Sequence, residues 1–147
     1  GQLANLRVNN GPALKMGNLS ASRDWGYAKD HIEAIIRIMT DDLCADYVVA
    51  TNKLKTVREF FYLVAANMGF KPIFEGEGLE EKCFDQTTGK LLCEVNIDFF
   101  RTPDTKALCG DFTKIRDQLG WTPRTTFERM AEIMASRDLE REKILSS

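Results

Sequence analysis

The sequence predicts an α/β fold of mixed short strands with four to five helices, and three observations carry that prediction. From Ala28 to Thr40 the apolar residues Ala28, Ile32, Ile35, Ile36 and Met39 recur at helical spacing, leaving Lys29, Asp30, Glu33 and Arg37 for the other face of an amphipathic helix. The β-branched run Asp46-Tyr47-Val48-Val49-Ala50-Thr51 follows and ends at Asn52, as a strand entering a loop does. Thr56-Val57-Arg58-Glu59 then has the capping-box pattern, and the helix it opens should reach Asn67 or Met68 and stop at Gly69, with Pro72 just beyond.

The remaining elements follow the same signals. Leu14-Lys15-Met16 can run as a short strand, so Arg23-Asp24-Trp25 sits at a strand-to-helix junction, after a loop of small polar residues. Ile73-Phe74-Glu75 reads as a strand and Gly76-Glu77-Gly78 as a turn. Glu80 to Gly89 is polar, with Asp85 to Lys90 as the hairpin tip, and Leu91 to Val95 returns as a strand. Asn96 to Arg101 continues extended or turns towards Pro103. Asp111 is the expected N-cap of a short helix ending at Leu119-Gly120. Thr125-Thr126-Phe127-Glu128 is a second capping box, opening a last helix that carries Phe127, Met130, Ile133 and Met134 inward. Beyond Ser136 the charged run from Arg137 to Lys143 should fray or lie exposed. At the other end, Leu3, Leu6 and Arg7 read as the middle of a helix, which suggests a segment of a longer protein.

Composition narrows the function classes. The 147 residues are 44% hydrophobic and 29% charged, as expected of one globular domain over residues 1–147. A net charge of -2 with interspersed signs offers no basic stripe for nucleic acid. No apolar run approaches the roughly 18 residues of a membrane span, and no charged leader precedes an apolar stretch. Cys44, Cys83, Cys93 and Cys109 form no C-x-x-C pair and lie far from His31, which argues against zinc. They read as reduced thiols packed as small hydrophobes, consistent with the cytoplasm.

Few residues suit catalysis. His31 is the one histidine and occupies a helical position, better suited to packing than to proton transfer. Gly76 and Gly78 follow a strand, but the third glycine and the helix of a dinucleotide fingerprint are missing. Two arginines remain, Arg23 after the polar loop and Arg101 at Arg101-Thr102-Pro103-Asp104. A guanidinium can fork two charge-assisted hydrogen bonds onto phosphate oxygens, and Asp104 could accept from a sugar hydroxyl. The arginines could equally pair with acids, Arg23 with Asp24 or Asp30.

Longer stretches carry a resemblance. Gly17-Asn18-Leu19 with Arg23-Asp24-Trp25-Gly26-Tyr27-Ala28-Lys29-Asp30 resembles the G-N-L-x-x-x-R-D-W-G-H-A-x-D-Y stretch of the GDP-mannose 4,6-dehydratases, extended members of the short-chain dehydrogenase/reductase superfamily. Asp46 to Thr51, Thr56 to Phe60, Phe74 to Gly78, Phe99-Phe100-Arg101, Gly110 to Lys114 and Leu119 to Pro123 are similar in order and spacing. The resemblance runs from Leu14 to about Glu142 and implies the C-terminal, substrate-binding lobe of an extended Rossmann-type protein. Such enzymes convert GDP-mannose to GDP-4-keto-6-deoxy-D-mannose with NADP, towards GDP-fucose, and the resemblance implies a homotetramer. Their glycine-rich loop and Tyr-x-x-x-Lys pair belong to the other half, so no catalytic residue is expected here. The resemblance implies that Arg23 and Arg101 approach the diphosphate from opposite sides and that Asp104 holds ribose hydroxyls. Leu14 to Asn18, including Gly17, would run beside the guanine, with Asp24 and Trp25 supporting Arg23. Arg101-Thr102-Pro103-Asp104 departs from the family's Arg-Pro-x-Glu, and Tyr27 and His31 exchange its usual His and Tyr. The alternative is a non-catalytic truncated module that binds a guanosine nucleotide or docks on an intact dehydratase.

Overall fold

The structure, a computed structural model, describes residues 1–42, 45–101 and 107–146. In chain order its elements are α1 (Gln2–Asn9), β1 (Leu14–Met16), β2 (Ser22–Asp24), α2 (Ala28–Thr40), β3 (Leu54–Thr56), α3 (Val57–Asn67), β4 (Pro72–Glu75), β5 (Lys82–Asp85), β6 (Leu91–Val95), α4 (Thr113–Leu119) and α5 (Phe127–Leu145). They fall into two compact units: Gly1–Ala21, Thr56–Asp104 and Ala131–Ser147 form the larger, Ser22–Lys55 and Thr105–Met130 the smaller.

The larger unit is built on a four-stranded sheet of order β1-β6-β5-β4, in which β1 runs parallel to β6 and the other pairs are antiparallel. Its core joins Leu3 and Leu6 of α1, Phe61 and Ala65 of α3, Cys83, Leu92 and Cys93 of the sheet, and Ala135 of α5. Each large side chain so buried contributes about 1.5–3 kcal/mol. The capping box at Thr56 forms as expected: its hydroxyl accepts from the Glu59 amide at 3.0 Å, while Glu59 accepts from the Thr56 amide at 2.7 Å. Helix α3 ends before Gly69, whose φ of 84° suits a residue without Cβ.

Several expectations are corrected here. Lys82–Asp85, read as part of a polar loop, is a strand, because its acids have partners inside. Arg58 Nε donates to buried Glu81 at 2.6 Å, and Asp85 accepts from the Lys71 amide at 2.8 Å and the Thr88 hydroxyl at 2.7 Å. The charged run after Ser136 does not fray, although Arg137, Glu140, Arg141 and Lys143 lie exposed as the alternative had it: α5 continues to Leu145, Leu139 packs on the core and Glu142 accepts from Asn5 and Asn9. Met134, expected inward, is exposed, because Ala131 and Ala135 occupy the packed face. Cys83 and Cys93 are buried as expected, whereas Cys109 is exposed and Cys44 lies outside the described residues.

The smaller unit packs Ala34 and Ile38 of α2 with Ile115 and Trp121. Asp30, expected on the polar face, is buried: its carboxylate accepts from the Arg124 and Thr125 amides at 3.0 and 2.7 Å. Thr125 is thereby taken up by Asp30, so Thr126 caps α5 instead, accepting from the Arg129 amide at 3.2 Å. Asp111 sits one residue outside its predicted place and accepts from the Thr113 amide at 2.9 Å, just before α4. Asp46–Thr51, expected as a strand, joins no ladder among the described residues.

Asp85 gives the larger unit an acid-sensitive joint. The Lys71 amide first, then the Thr88 hydroxyl, hold its carboxyl below the ordinary aspartate range. Its stabilisation is therefore complete above about pH 5, declines as pH falls through the ordinary aspartate value, and is gone below the depressed one. Asp85→Asn should lower the urea midpoint at neutral pH and flatten its decline on acidification below about pH 5; unfolding curves at stepped pH test this.

Candidate functional site

In the larger unit the expected nucleotide-facing residues gather at the end of β1. This strand is at the edge of its sheet, with one side bonded to β6. Just past it the chain presses against the 3-10 turn Ile97–Phe99: the Asn96 amide donates to the Met16 carbonyl at 2.8 Å. A Cβ added at Gly17 would lie 2.6 Å from the Phe99 carbonyl oxygen, so only glycine permits this approach without displacement. Leu14 turns its side chain into the core and leaves backbone as what it can offer a ligand. Asn18 Oδ1 accepts from the Ser20 amide at 2.9 Å, which bends the loop so that buried Leu19 anchors it. Arg101, two residues past Phe99, is exposed. Beside β1 lies a cavity of about 430 Å³ lined by Gln2, Asn5, Pro12, Ala13, Lys15 and Phe99.

In the smaller unit Arg23 projects from β2, exposed, with Nη1 donating to the Ser22 carbonyl at 2.7 Å. The loop reading of residues before Trp25 is thus corrected: Ser22–Asp24 pairs with β3. Asp24 does not serve as an acid for surface pairing. Its carboxylate accepts from the Thr51 amide at 2.9 Å, the Thr51 hydroxyl, the Asn52 amide at 3.1 Å and the Gly110 amide at 3.2 Å. The indole of Trp25 donates to the Lys55 carbonyl at 2.8 Å and lies 6.2 Å from the Phe127 ring. Beneath it is a cavity of about 380 Å³, to which Lys53, Lys55 and Arg124 bring positive charge.

The structure thus brings Leu14, Gly17 and Asn18 beside the segment that leads to Arg101, and sets Arg23 on a strand braced by Asp24 and Trp25. Asp104 lies outside the described residues. Sequence reasoning missed Thr51, Asn52 and Gly110 as the braces of Asp24, and Phe99 as the neighbour of Gly17. Apart from the Thr51 hydroxyl, backbone atoms make these contacts, and for them side-chain identity carried no signal. Gly110 stood in the sequence only as part of the Gly110 to Lys114 resemblance; the fold gives its reason, since a Cβ there would collide with that of Ala50.

Over residues 2–134 the sequence matches the family described as GDP-mannose 4,6 dehydratase. The chain belongs to that family. GDP-mannose 4,6 dehydratase 2 of Caenorhabditis elegans is 36% identical over 137 residues, covering 93% of this chain and 36% of the relative. The Homo sapiens GDP-mannose 4,6 dehydratase is 35% identical over 127 residues, covering 86% and 34%. The chain therefore spans about a third of the length of these curated relatives. Among solved structures, RMD from Pseudomonas aeruginosa complexed with NADPH superposes with a TM-score of 0.72 at 18% identity, covering 95% of this chain and 40% of that one. The dTDP-glucose 4,6-dehydratase of Bacillus anthracis in complex with NAD gives a TM-score of 0.67 at 20% identity, covering 96% and 40%. At these identities the structural likeness speaks for the fold alone, an α/β lobe that matches about 40% of each of those chains.

In this member of the GDP-mannose 4,6-dehydratase family, Asp24 is the residue whose loss the smaller unit should feel most. Asp24→Ala strips the acceptor from three backbone amides and should cost about 2–4 kcal/mol. Urea unfolding measures the loss, and a change within about 0.5 kcal/mol would show that water replaces the carboxylate.

Proposed function

We propose that this chain is the substrate-binding segment of a GDP-mannose 4,6-dehydratase and that it holds the GDP part of GDP-mannose. The supporting observation is the abutment of Gly17 on the Phe99 carbonyl. It sets the edge-strand backbone of Leu14–Met16 next to the segment bearing Arg101, matching what a guanine and a diphosphate require. Edge-strand amides and carbonyls suit a planar base, and a fixed guanidinium suits phosphate oxygens. Arg23 is the second phosphate ligand in this reading, with Asp24 and Trp25 holding its strand in place. Asp104 would accept from the ribose.

The parent enzyme would convert GDP-mannose to GDP-4-keto-6-deoxy-D-mannose on the way to GDP-fucose, as a homo-oligomer in the cytoplasm. NADP would supply the hydride acceptor when bound. The residues present do not fit a dinucleotide: Gly76 and Gly78 lie in a turn closed by the Glu81 amide on the Gly78 carbonyl at 3.4 Å, with no α-helix following. We therefore assign the NADP site to the part of the family's chain that these residues do not match, and derive no step through it here. What this segment contributes is anchoring: contacts to the nucleotide, remote from the reacting sugar, fix the substrate for chemistry performed elsewhere. Among the described residues no helix is long and apolar enough to cross a membrane.

Titration calorimetry with GDP tests the reading. The chain should bind GDP, and Arg23→Ala and Arg101→Ala should each weaken binding by about tenfold or more, the size of one lost charge-assisted phosphate contact. Affinity unchanged from that of the original chain in both variants would remove the arginines from the site.

A further inference from the structure

Cys83 and Cys93 stand directly opposite each other on the antiparallel strands β5 and β6. The register that opposes them is pinned on both sides, by Lys82 facing Glu94 across the ladder and by Phe84 facing Leu91. A slip of one residue would turn β5 over and bury Lys82 in the place of Cys83, so the meeting of the two thiols is set as firmly as the sheet itself. Both side chains belong to the core that α1, α3 and α5 share with the sheet, and both are 0% exposed.

Packing alone asks only for small apolar groups at these positions. Two sulfurs in register do more than fill space. A hydrogen bond with the Cys83 thiol, and then burial, push the Cys93 thiol well above the ordinary cysteine range. A thiol held protonated is no nucleophile, so Cys93 is inert while the unit is closed. The geometry nonetheless suits a covalent bond. Directly opposed residues of an antiparallel pair have Cα atoms about 4.5–5.5 Å apart, inside the roughly 4.4–6.8 Å that a disulfide spans. Their Cβ atoms, also about 4.5–5.5 Å apart, need to close to about 3.5–4.5 Å. The register shift between Cys83 and Phe84 interrupts the ladder at this point, which leaves the strands room for an adjustment of about 1 Å.

We propose that Cys83 and Cys93 form a dithiol–disulfide site, which a low-molecular-weight disulfide such as glutathione disulfide oxidises to an internal bond when the larger unit opens, and which reclosing buries. In the opened chain one cysteine gives its proton to solvent and its thiolate attacks a sulfur of the small disulfide. The S–S bond of the reagent breaks, one glutathione thiolate leaves and takes up a proton, and a mixed disulfide remains. The second cysteine, deprotonated in turn, attacks the protein sulfur of that mixed disulfide and expels the second glutathione, which is protonated. Two protein thiols are oxidised, one small disulfide is reduced to two thiols, and no proton is gained or lost overall. The bond ties β5 to β6 across their hairpin and removes conformations from the unfolded chain. This site depends on the larger unit alone and not on the nucleotide contacts of Arg23 and Arg101.

The test exposes the 147-residue chain to glutathione disulfide, in buffer and in urea just below the unfolding midpoint. Free thiols are then blocked under denaturing conditions and the chain is cut with trypsin. Cleavage after Lys82, Lys90 and Arg101 puts the two cysteines on separate peptides, Cys83–Lys90 and Leu91–Arg101. Mass spectrometry should find these peptides joined to each other with no glutathione retained. Joining should be about tenfold or more faster in urea than in buffer, because opening controls it. The joined form should have the higher urea midpoint, and a small thiol should reduce it in denaturant but not in the folded chain. Failure to join in either condition, glutathione kept on both cysteines, or a bond from either one to Cys44 or Cys109 would show that the two sulfurs do not meet, and would overturn the proposal. So would a joined form with a lower urea midpoint than the dithiol form, since the strands would then not accommodate the bond. Equal rates in urea and in buffer would overturn the dependence on opening.

Discussion

The carboxylate of Asp24 is the hub on which the smaller unit turns. It gathers the Thr51 and Asn52 amides from one loop and the Gly110 amide from another, segments otherwise remote in sequence. Each bond from an amide to an ionised carboxylate is worth about 1.5–3 kcal/mol, more than a neutral pair, because the acceptor is charged and partly shielded from water. The consequence for function is positional. Arg23 precedes this hub by one residue on a strand, so the hub helps to set its backbone. Asp30 repeats the device one turn into α2, closing the Arg124-Thr125 segment over a buried carboxylate. Both acids available to Arg23 by sequence proximity thus bind backbone amides.

The larger unit solves a different problem with the same chemistry. Its sheet must include polar positions, and Glu81 and Asp85 are buried on β5 or beside it. Arg58 meets Glu81 while its own backbone amide donates to the Leu19 carbonyl at 2.8 Å. One residue therefore joins the loop after β1 to the buried acid. A buried ion pair is weak evidence for stability, since desolvation offsets much of the attraction. Its worth here is register: it holds Leu19 and the Gly17-Asn18 turn against the sheet, and that turn is where the edge of β1 meets the Phe99 carbonyl.

Much of this was legible in the residues. Local signals located α2 between Ala28 and Thr40, the capping box at Thr56, the stop at Gly69 and the tip of the β5–β6 hairpin, because each depends on neighbours within a few positions. The strand at Lys82–Asp85 was hidden, since burial of two acids makes sense only once Arg58, Lys71 and Thr88 are seen around them. The start of α5 moved from Thr125 to Thr126 for a similar reason: Asp30, far away in sequence, takes the Thr125 amide. The isoleucine row of α2 had the right period but not the expected side, because periodicity marks an apolar face without saying what covers it.

The sequence by itself determined the family, the α/β alternation and the residue types able to bind a nucleoside diphosphate, all of which reside in local pattern and side-chain chemistry. Only the tertiary structure decided that Asp24 braces backbone instead of pairing with Arg23, that Gly17 must lack a side chain to meet Phe99, and that α2 keeps a bare apolar face. The first two outcomes depend on main-chain amides and carbonyls brought together from distant positions, and the third on which side of the helix the small core covers. Such groups are the same in every residue but proline, so their partners become visible only when the chain is folded.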